Sequence, residues 1–135
     1  MRTGWTLAIL GSTAALVVAV SGCSSSSPLR IVKSDSDSPS GMEAALRGTL
    51  TVDASGCVRM GSGERAVTLV WPRGYTVRGD SESFEVLNGA GNVMAQSGVV
   101  LTIAGGGADS VRDTWTDSDC ANGGELWMVG NIRKS

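Results

Sequence analysis

The stretch Val67-Thr68-Leu69-Val70-Trp71-Pro72-Arg73-Gly74 decides the fold class of this chain. Val67, Leu69 and Trp71 alternate with their neighbours at a period of two, which is typical of a half-buried β-strand. Pro72 lacks the backbone donor that a central ladder needs, and the Pro and Gly positions are typical of a type I turn. We therefore predict a strand that ends near Trp71, followed by a turn.

The same period of two recurs on both sides of this strand. Residues 46–52 place Leu46, Gly48, Leu50 and Val52 on one face, and residues 99–103 repeat the pattern. Weaker candidates for strands are residues 57–60, 83–87, 92–96 and 126–132, and turn residues stand at 53–56 and 87–91. Five to seven short strands predict an all-β fold, a small antiparallel barrel or sandwich, with an OB-like barrel as one member of that class.

The amino-terminal segment reads as an export signal. Arg2 is followed by an apolar stretch from Trp5 to Val20, as in a signal peptide. The next residues, Val20-Ser21-Gly22-Cys23, resemble the lipobox of bacterial lipoproteins, with Val20 where that motif usually has Leu. The resemblance covers the first 23 residues. It implies cleavage between Gly22 and Cys23, a diacylglyceryl group on Cys23, and attachment to the extracytoplasmic face of the cell membrane.

An uncleaved transmembrane anchor is the alternative interpretation of this segment. Its length is close to the minimum needed to cross a bilayer. Several Gly, Ser and Thr residues dilute the segment, and Cys23 stands where lipoprotein processing requires it, so the signal peptide is favoured.

The chain therefore divides into three parts. Residues 1–22 are the signal peptide, residues 23–44 are the lipidated Cys and a flexible Ser-rich tether, and residues 45–135 form the β domain. The apolar group Leu29-Arg30-Ile31-Val32 interrupts the tether. It is either an edge strand or part of the linker, and the Ser/Asp run after it favours the linker.

Two cysteines remain once Cys23 is used for lipid attachment. Exported proteins reach a compartment where thiols oxidise, so Cys57 and Cys120 are expected to form one disulfide. The bridge would hold residues 109–121, the stretch with the least regular pattern, against the sheet. Two free buried thiols are the competing interpretation.

Composition excludes several classes of function. The chain has 135 residues, 11 Lys and Arg, 13 Asp and Glu, and no His. Loss of Arg2 leaves 10 basic against 13 acidic residues, or −3, so nucleic acid is not an expected partner. The absence of His removes the commonest general base and transition-metal ligand. The length excludes a two-domain solute-binding lipoprotein.

The densest acidic cluster consists of Asp109, Asp113, Asp117 and Asp119. Asp117-Ser118-Asp119 resembles the start of a calcium loop, but the closing Glu of an EF-hand is missing. We therefore expect a solvated acidic loop, and no metal or cofactor.

The neighbours of three tryptophans in the sequence predict whether their side chains are buried or exposed. Trp71 and Trp127 are flanked by apolar residues at strand spacing and are expected in the core. Trp115 stands in a polar context and is the aromatic residue most suited to an exposed ligand contact.

Two glycine-containing stretches carry no recognised chemistry. Gly105-Gly106-Gly107 lacks the residues of a phosphate-binding loop and is predicted to be a flexible turn. Met60-Gly61-Ser62-Gly63-Glu64 is not a nucleophile elbow, and a hairpin loop is the better interpretation.

The sequence thus predicts a membrane-anchored lipoprotein whose β domain binds or braces a partner in the cell envelope without catalysis. The partner would be an envelope protein or a glycan. The alternative is a cell-wall carbohydrate-active enzyme or glycan-binding module that uses the segment from Asp109 to Asp119, including Asp113 and Asp117, with Trp115 as a platform.

Overall fold

The computed structural model describes residues 28–37, 43–121 and 124–134, and their fold is all β, as predicted. The strands are β1 (Val32–Lys33), β2 (Ala44–Gly48), β3 (Leu50–Val52), β4 (Val58–Met60), β5 (Val67–Trp71), β6 (Thr76–Gly79), β7 (Phe84–Leu87), β8 (Val93–Gln96), β9 (Leu101–Ala108) and β10 (Glu125–Lys134). Two short 3-10 turns cover Gly63–Arg65 and Ser118–Ala121. The predicted signal peptide (1–22), Cys23 and the start of the tether lie outside the described residues.

The main sheet is curled into a half-barrel. Its pairing order is β2-β9-β10-β5-β4-β3, so β2 and β3 lie at opposite ends of the order although only Thr49 separates them. One bent stretch therefore joins the two edges. Counted with that stretch as a single strand and without β1, the barrel wall has five strands. An OB-like barrel, one member of the predicted class, also has five strands and is partly open.

The main sheet of the predicted antiparallel barrel or sandwich also contains two parallel pairings. β5 pairs in parallel with β10, with Leu126 opposite Thr68 and Trp127 opposite Leu69, and also in parallel with β1. Parallel neighbours need a long connection between them. Here more than 50 residues separate β5 from β10, enough for the chain to return in the same direction.

A second sheet of three antiparallel strands, β6-β7-β8, packs against the barrel core. Phe84, Val86 and Ala95 are buried together with Leu69 and Ile103. β7 and β8 occur where the sequence predicts strands. β6 was not predicted, because it is mostly exposed and its local pattern carries little apolar signal.

Two boundaries differ from the predictions. The single strand predicted over 46–52 is divided into β2 and β3. An added Cβ on Gly48, at the end of β2, would lie 3.1 Å from Met60 Cγ, so glycine leaves room for the Met60 side chain. The strand β5 ends at Trp71 as predicted. The following turn is one residue later than predicted, because Tyr75 N donates to Pro72 O (3.3 Å) and Gly74 has φ +84°.

The linker interpretation of Leu29-Arg30-Ile31-Val32 is wrong. Ile31 is 2% exposed and Val32 is 1% exposed, and β1 pairs with the end of β5 through Val32 and Val70. We call residues 28–37 the strap. The burial of the strap depends on partners far along the chain. The polar residues next to Ile31 and Val32 in sequence therefore indicated a solvated linker incorrectly.

The flexible turn predicted at Gly105-Gly106-Gly107 is also wrong, since all three residues belong to β9 and pair with β10. An added Cβ on Gly105 would overlap the Met128 carbonyl oxygen and lie 2.9 Å from the Trp127 indole nitrogen. Glycine is therefore used for the close approach of two strands rather than for flexibility. The hairpin loop predicted at 60–64 is confirmed between the antiparallel strands β4 and β5.

Candidate functional site

The predicted disulfide between Cys57 and Cys120 is present, with the two sulfur atoms 2.08 Å apart. Both residues are 2% exposed. The bond joins the turn at 53–57 to the loop between β9 and β10, whose residues 109–121 we call the cover loop. Arg59 Nη2 (3.2 Å) and Thr68 Oγ1 (3.5 Å) also donate to the Cys120 carbonyl, so hydrogen bonds as well as the disulfide hold the end of the cover loop to the barrel.

The cover loop encloses a second hydrophobic core on the outer face of the barrel wall. This core contains Val32, Cys57, Val70, Trp115, Cys120, Ala121 and Leu126. Leu69 and Trp71 point into the barrel core instead, because side chains alternate between the two faces of a strand. The central strand β5 is consequently buried on both faces, and all five of its residues are buried.

The prediction of an exposed Trp115 is wrong, because this residue is 6% exposed. It packs with Val32 of the strap and with Leu126 of β10, which are distant in sequence. Its polar neighbours therefore did not reveal its environment. Trp71 is buried in the barrel core as predicted, and Trp127 packs against that core while partly exposed.

Two members of the acidic cluster are engaged by the strap. Arg30 Nη1 lies 2.7 Å from Asp119 Oδ2 and 3.8 Å from Asp117 Oδ1. The hydrogen bond from Arg30 holds the pKa of Asp119 below its ordinary value. The opening of the suspected calcium loop is thus occupied by a guanidinium group, which gives these carboxylates a structural role.

The turn at 53–57 is organised around one carboxylate. Asp53 Oδ1 accepts hydrogen bonds from the backbone N–H of Ser55 (2.8 Å) and Cys57 (3.1 Å), while Oδ2 pairs with Arg59 Nε at 2.8 Å. Desolvation raises the pKa of Asp53, but these hydrogen bonds and the Arg59 charge outweigh it, so the net pKa is lowered. The paired carboxylate therefore stabilises the fold above its ordinary pKa, and this contribution is lost as the pH falls below it.

A groove of about 350 Å³ lies between the strap and the start of the cover loop. It is lined by Ser34, Asp35, Ser36, Gly107, Ala108, Asp109, Ser110, Arg112, Trp115 and Met128. The lining thus combines hydroxyl and charged groups with three apolar side chains, those of Ala108, Trp115 and Met128. Such a mixture suits a hydroxyl-rich ligand that offers both hydrogen-bonding groups and an apolar face.

The charged groups of the groove are available to a ligand. Among the described residues, no salt bridge or side-chain hydrogen bond engages Asp35, Asp109 or Arg112. This contrasts with Asp117 and Asp119, which both form ion pairs with Arg30. The groove therefore presents three charged side chains that the described part of the fold does not use, whereas the Ser34 hydroxyl is already bonded to Ser36.

The groove brings together only some of the predicted site residues. Asp109 and Trp115 line it, whereas Asp113, Asp117 and Asp119 are not among its lining residues. Sequence reasoning missed Asp35 and Arg112. The signal for Asp35 was the apolar group just before it, since a buried β1 would have placed the following residues on the barrel.

The described residues also bear on two other features, a metal site and a membrane-spanning helix. Among residues 28–37, 43–121 and 124–134, no three His, Cys, Asp or Glu side chains are grouped as a metal site requires. Within the same ranges, no helix has the length and apolar character to cross a bilayer. The predicted cleavage and lipidation residues, Gly22 and Cys23, lie outside the described residues.

Comparison with family models, with curated proteins and with solved structures finds no match to this chain.

Proposed function

We propose that this chain is a lipid-anchored protein of the cell envelope, attached to the extracytoplasmic face of the cell membrane through a diacylglyceryl group on Cys23. The observation that carries the proposal is the distribution of its three cysteines. Cys57 and Cys120 are bonded to each other, which leaves Cys23, directly after Val20-Ser21-Gly22, as the third. Each thiol then has a use that suits an exported lipoprotein.

The disulfide supports an extracytoplasmic location on chemical grounds. Disulfides persist in oxidising compartments and are rare in the reducing cytosol. The bond between Cys57 and Cys120 is buried and ties the cover loop to the barrel, so it is part of the folded domain. A chain that depends on such a bond is expected to fold after export.

Fatty-acid labelling tests the anchor. In a bacterial host fed labelled palmitate, the wild-type chain should carry the label and partition into detergent, because two or three acyl chains give stable membrane attachment. The Cys23→Ser chain should carry no label. Cys57→Ser serves as the control, since it also removes one thiol and should still be labelled. Label on Cys23→Ser would contradict the anchor.

We further propose that the domain acts by binding rather than by catalysis, and that the groove takes a glycan of the cell envelope. Asp35, Asp109 and Arg112 offer unused donors and acceptors beside the edge of Trp115. By analogy with OB-like barrels, the loop between the last two barrel strands contributes to binding of oligosaccharides or oligonucleotides. The net negative charge of the chain disfavours nucleic acid.

A pull-down on insoluble wall polymer tests the groove. Asp109→Asn should reduce the retained fraction about fivefold, as expected for loss of a charge-assisted contact worth on the order of 1 kcal/mol. The matched control is Asp113→Asn, because Asp113 is exposed on the same cover loop and does not line the groove. Equal losses for both variants would contradict the groove, and release of soluble fragments would contradict the non-catalytic proposal.

A further inference from the structure

The strap fixes the point at which the amino-terminal chain joins the folded domain. Arg30 N donates to Gly56 O (2.8 Å), and Val58 N donates to Arg30 O (2.9 Å). The Arg30 side chain adds the 2.7 Å contact to Asp119. Ile31, the next residue, is 2% exposed. The chain is therefore held at Arg30 by backbone, charge and burial together.

This attachment sets the reach of the anchor. Arg30 follows Cys23 by seven residues (30 − 23), which span at most about 25 Å whatever path they take. If the chain were free up to Ala44, the start of β2, 21 residues (44 − 23) would span up to about 75 Å. Docking of the strap thus shortens the maximum reach about threefold.

The surface nearest to this point consists of the turn at 53–57 and residues 117–119 of the cover loop. Its charged side chains are paired within the protein: Asp53 with Arg59, and both Asp117 and Asp119 with Arg30. Because one guanidinium, that of Arg30, serves two carboxylates, this surface keeps one excess negative charge and has no electrostatic attraction for anionic lipids. Its proximity to a membrane would then depend on the chain connection and not on lipid charge.

We propose that in the lipidated protein the surface formed by residues 53–57 and 117–119 faces the lipid headgroups, held there by the docked strap. The proposal rests on the proposed lipid attachment at Cys23. The groove is then kept within a limited distance of the membrane, because Ser34, Asp35 and Ser36 of the same strap form one of its walls.

Two positions at which one cysteine can be added allow a matched measurement. Ala54 and Ala90 are both exposed alanines in turns built alike. Asp53 Oδ1 accepts from Ser55 N and Cys57 N, and Asn88 Oδ1 accepts from Ala90 N and Asn92 N. Ala54 adjoins the attachment point. The turn that contains Ala90 lies next to Gly74, which follows Trp71 after the end of β5. Lys33, at the end of β1, pairs with Trp71 and lies about 10 Å along the strand from Arg30.

The experiment uses the mature lipoprotein in vesicles whose lipids carry a headgroup quencher, with a fluorophore on Ala54→Cys or Ala90→Cys. Quenching at position 54 should be at least about twofold stronger than at position 90, given the 25 Å limit on the strap connection. It should be the same in zwitterionic and anionic vesicles. Insertion of a Gly/Ser spacer of about 20 residues between Ser27 and Pro28 should reduce quenching at position 54 to that at position 90.

Equal quenching at the two positions, or no effect of the spacer, would overturn the proposal. Quenching at position 54 that requires anionic lipid would also overturn it, because adsorption by charge would then replace the strap as the cause. Failure of lipidation is recognised separately by mass analysis of the purified protein, where acyl chains on Cys23 are absent and no variant is recovered with the vesicles.

Discussion

Replacement of both Cys57 and Cys120 with alanine should lower the free energy of unfolding by about 4 kcal/mol, the chain-entropy value for a bridge of this span. The two residues are 63 apart, so the bridge removes a large loop from the unfolded ensemble. For a domain of this size the loss corresponds to a fall in Tm on the order of 15–20 °C. Few single bonds in the molecule are expected to matter as much.

The loss of stability should also be localised to one part of the molecule. The cover loop contains no regular strand. Besides the burial of Trp115 and the backbone pairing of Thr116 with Lys33, its attachment relies on the disulfide, on the Arg59 contact to the Cys120 carbonyl, and on the Arg30 ion pairs. Backbone amides of residues 109–121 should therefore lose protection from hydrogen exchange more than those of β5, which is buried on both faces.

The measurement is urea unfolding of the mature chain carrying Cys23→Ser, with and without the two alanine replacements. Cys23→Ser alone is the control, because it removes the lipid and keeps the bridge. Addition of reductant to the control should move its midpoint towards that of the alanine variant. Superimposable unfolding curves for the two chains would show that the bridge contributes nothing to stability.

The strands were predictable where the local pattern carries the information. β5 was predicted to its last residue, because apolar alternation and Pro72 both act within a few residues. What covers its outer face was not predictable. Val70 is buried by the strap and the cover loop, and no period within β5 reveals partners that lie more than 30 residues away.

The errors share a physical cause. Gly105 belongs to a strand because β10 approaches too closely for a side chain, and Trp115 is buried because residues of four other segments share its core. In both cases tertiary contacts override local preference. For the same reason, only some residues of the candidate groove could be predicted. Asp109 was recognised from the acidic cluster, while the position of Asp35 in the groove depends on docking of the strap.

The parts of the molecule also depend on one another. The strap joins β4 through Arg30, β5 through Val32, and the cover loop through Lys33, whose N–H donates to Thr116 O at 3.2 Å. A segment with so many partners acts as a structural element of the barrel although only two of its residues form a strand. Its removal should therefore weaken both cores and one wall of the groove.

The second large effect is expected from Ile31→Ala, which should lower the free energy of unfolding by about 3 kcal/mol, within the range found for buried large-to-small replacements. Ile31 is 2% exposed and packs in the barrel core with Leu69 and Trp71. A residue in a solvated linker would change stability by less than about 0.5 kcal/mol. The matched control is Ile132→Ala, the same replacement at a partly exposed position of β10, with an expected loss of about 1 kcal/mol. The measurement is urea unfolding of the two variants in the Cys23→Ser chain. If the loss for Ile31→Ala is no larger than that for Ile132→Ala, the strap behaves as a linker. The proposed short connection to the membrane would then have no structural basis.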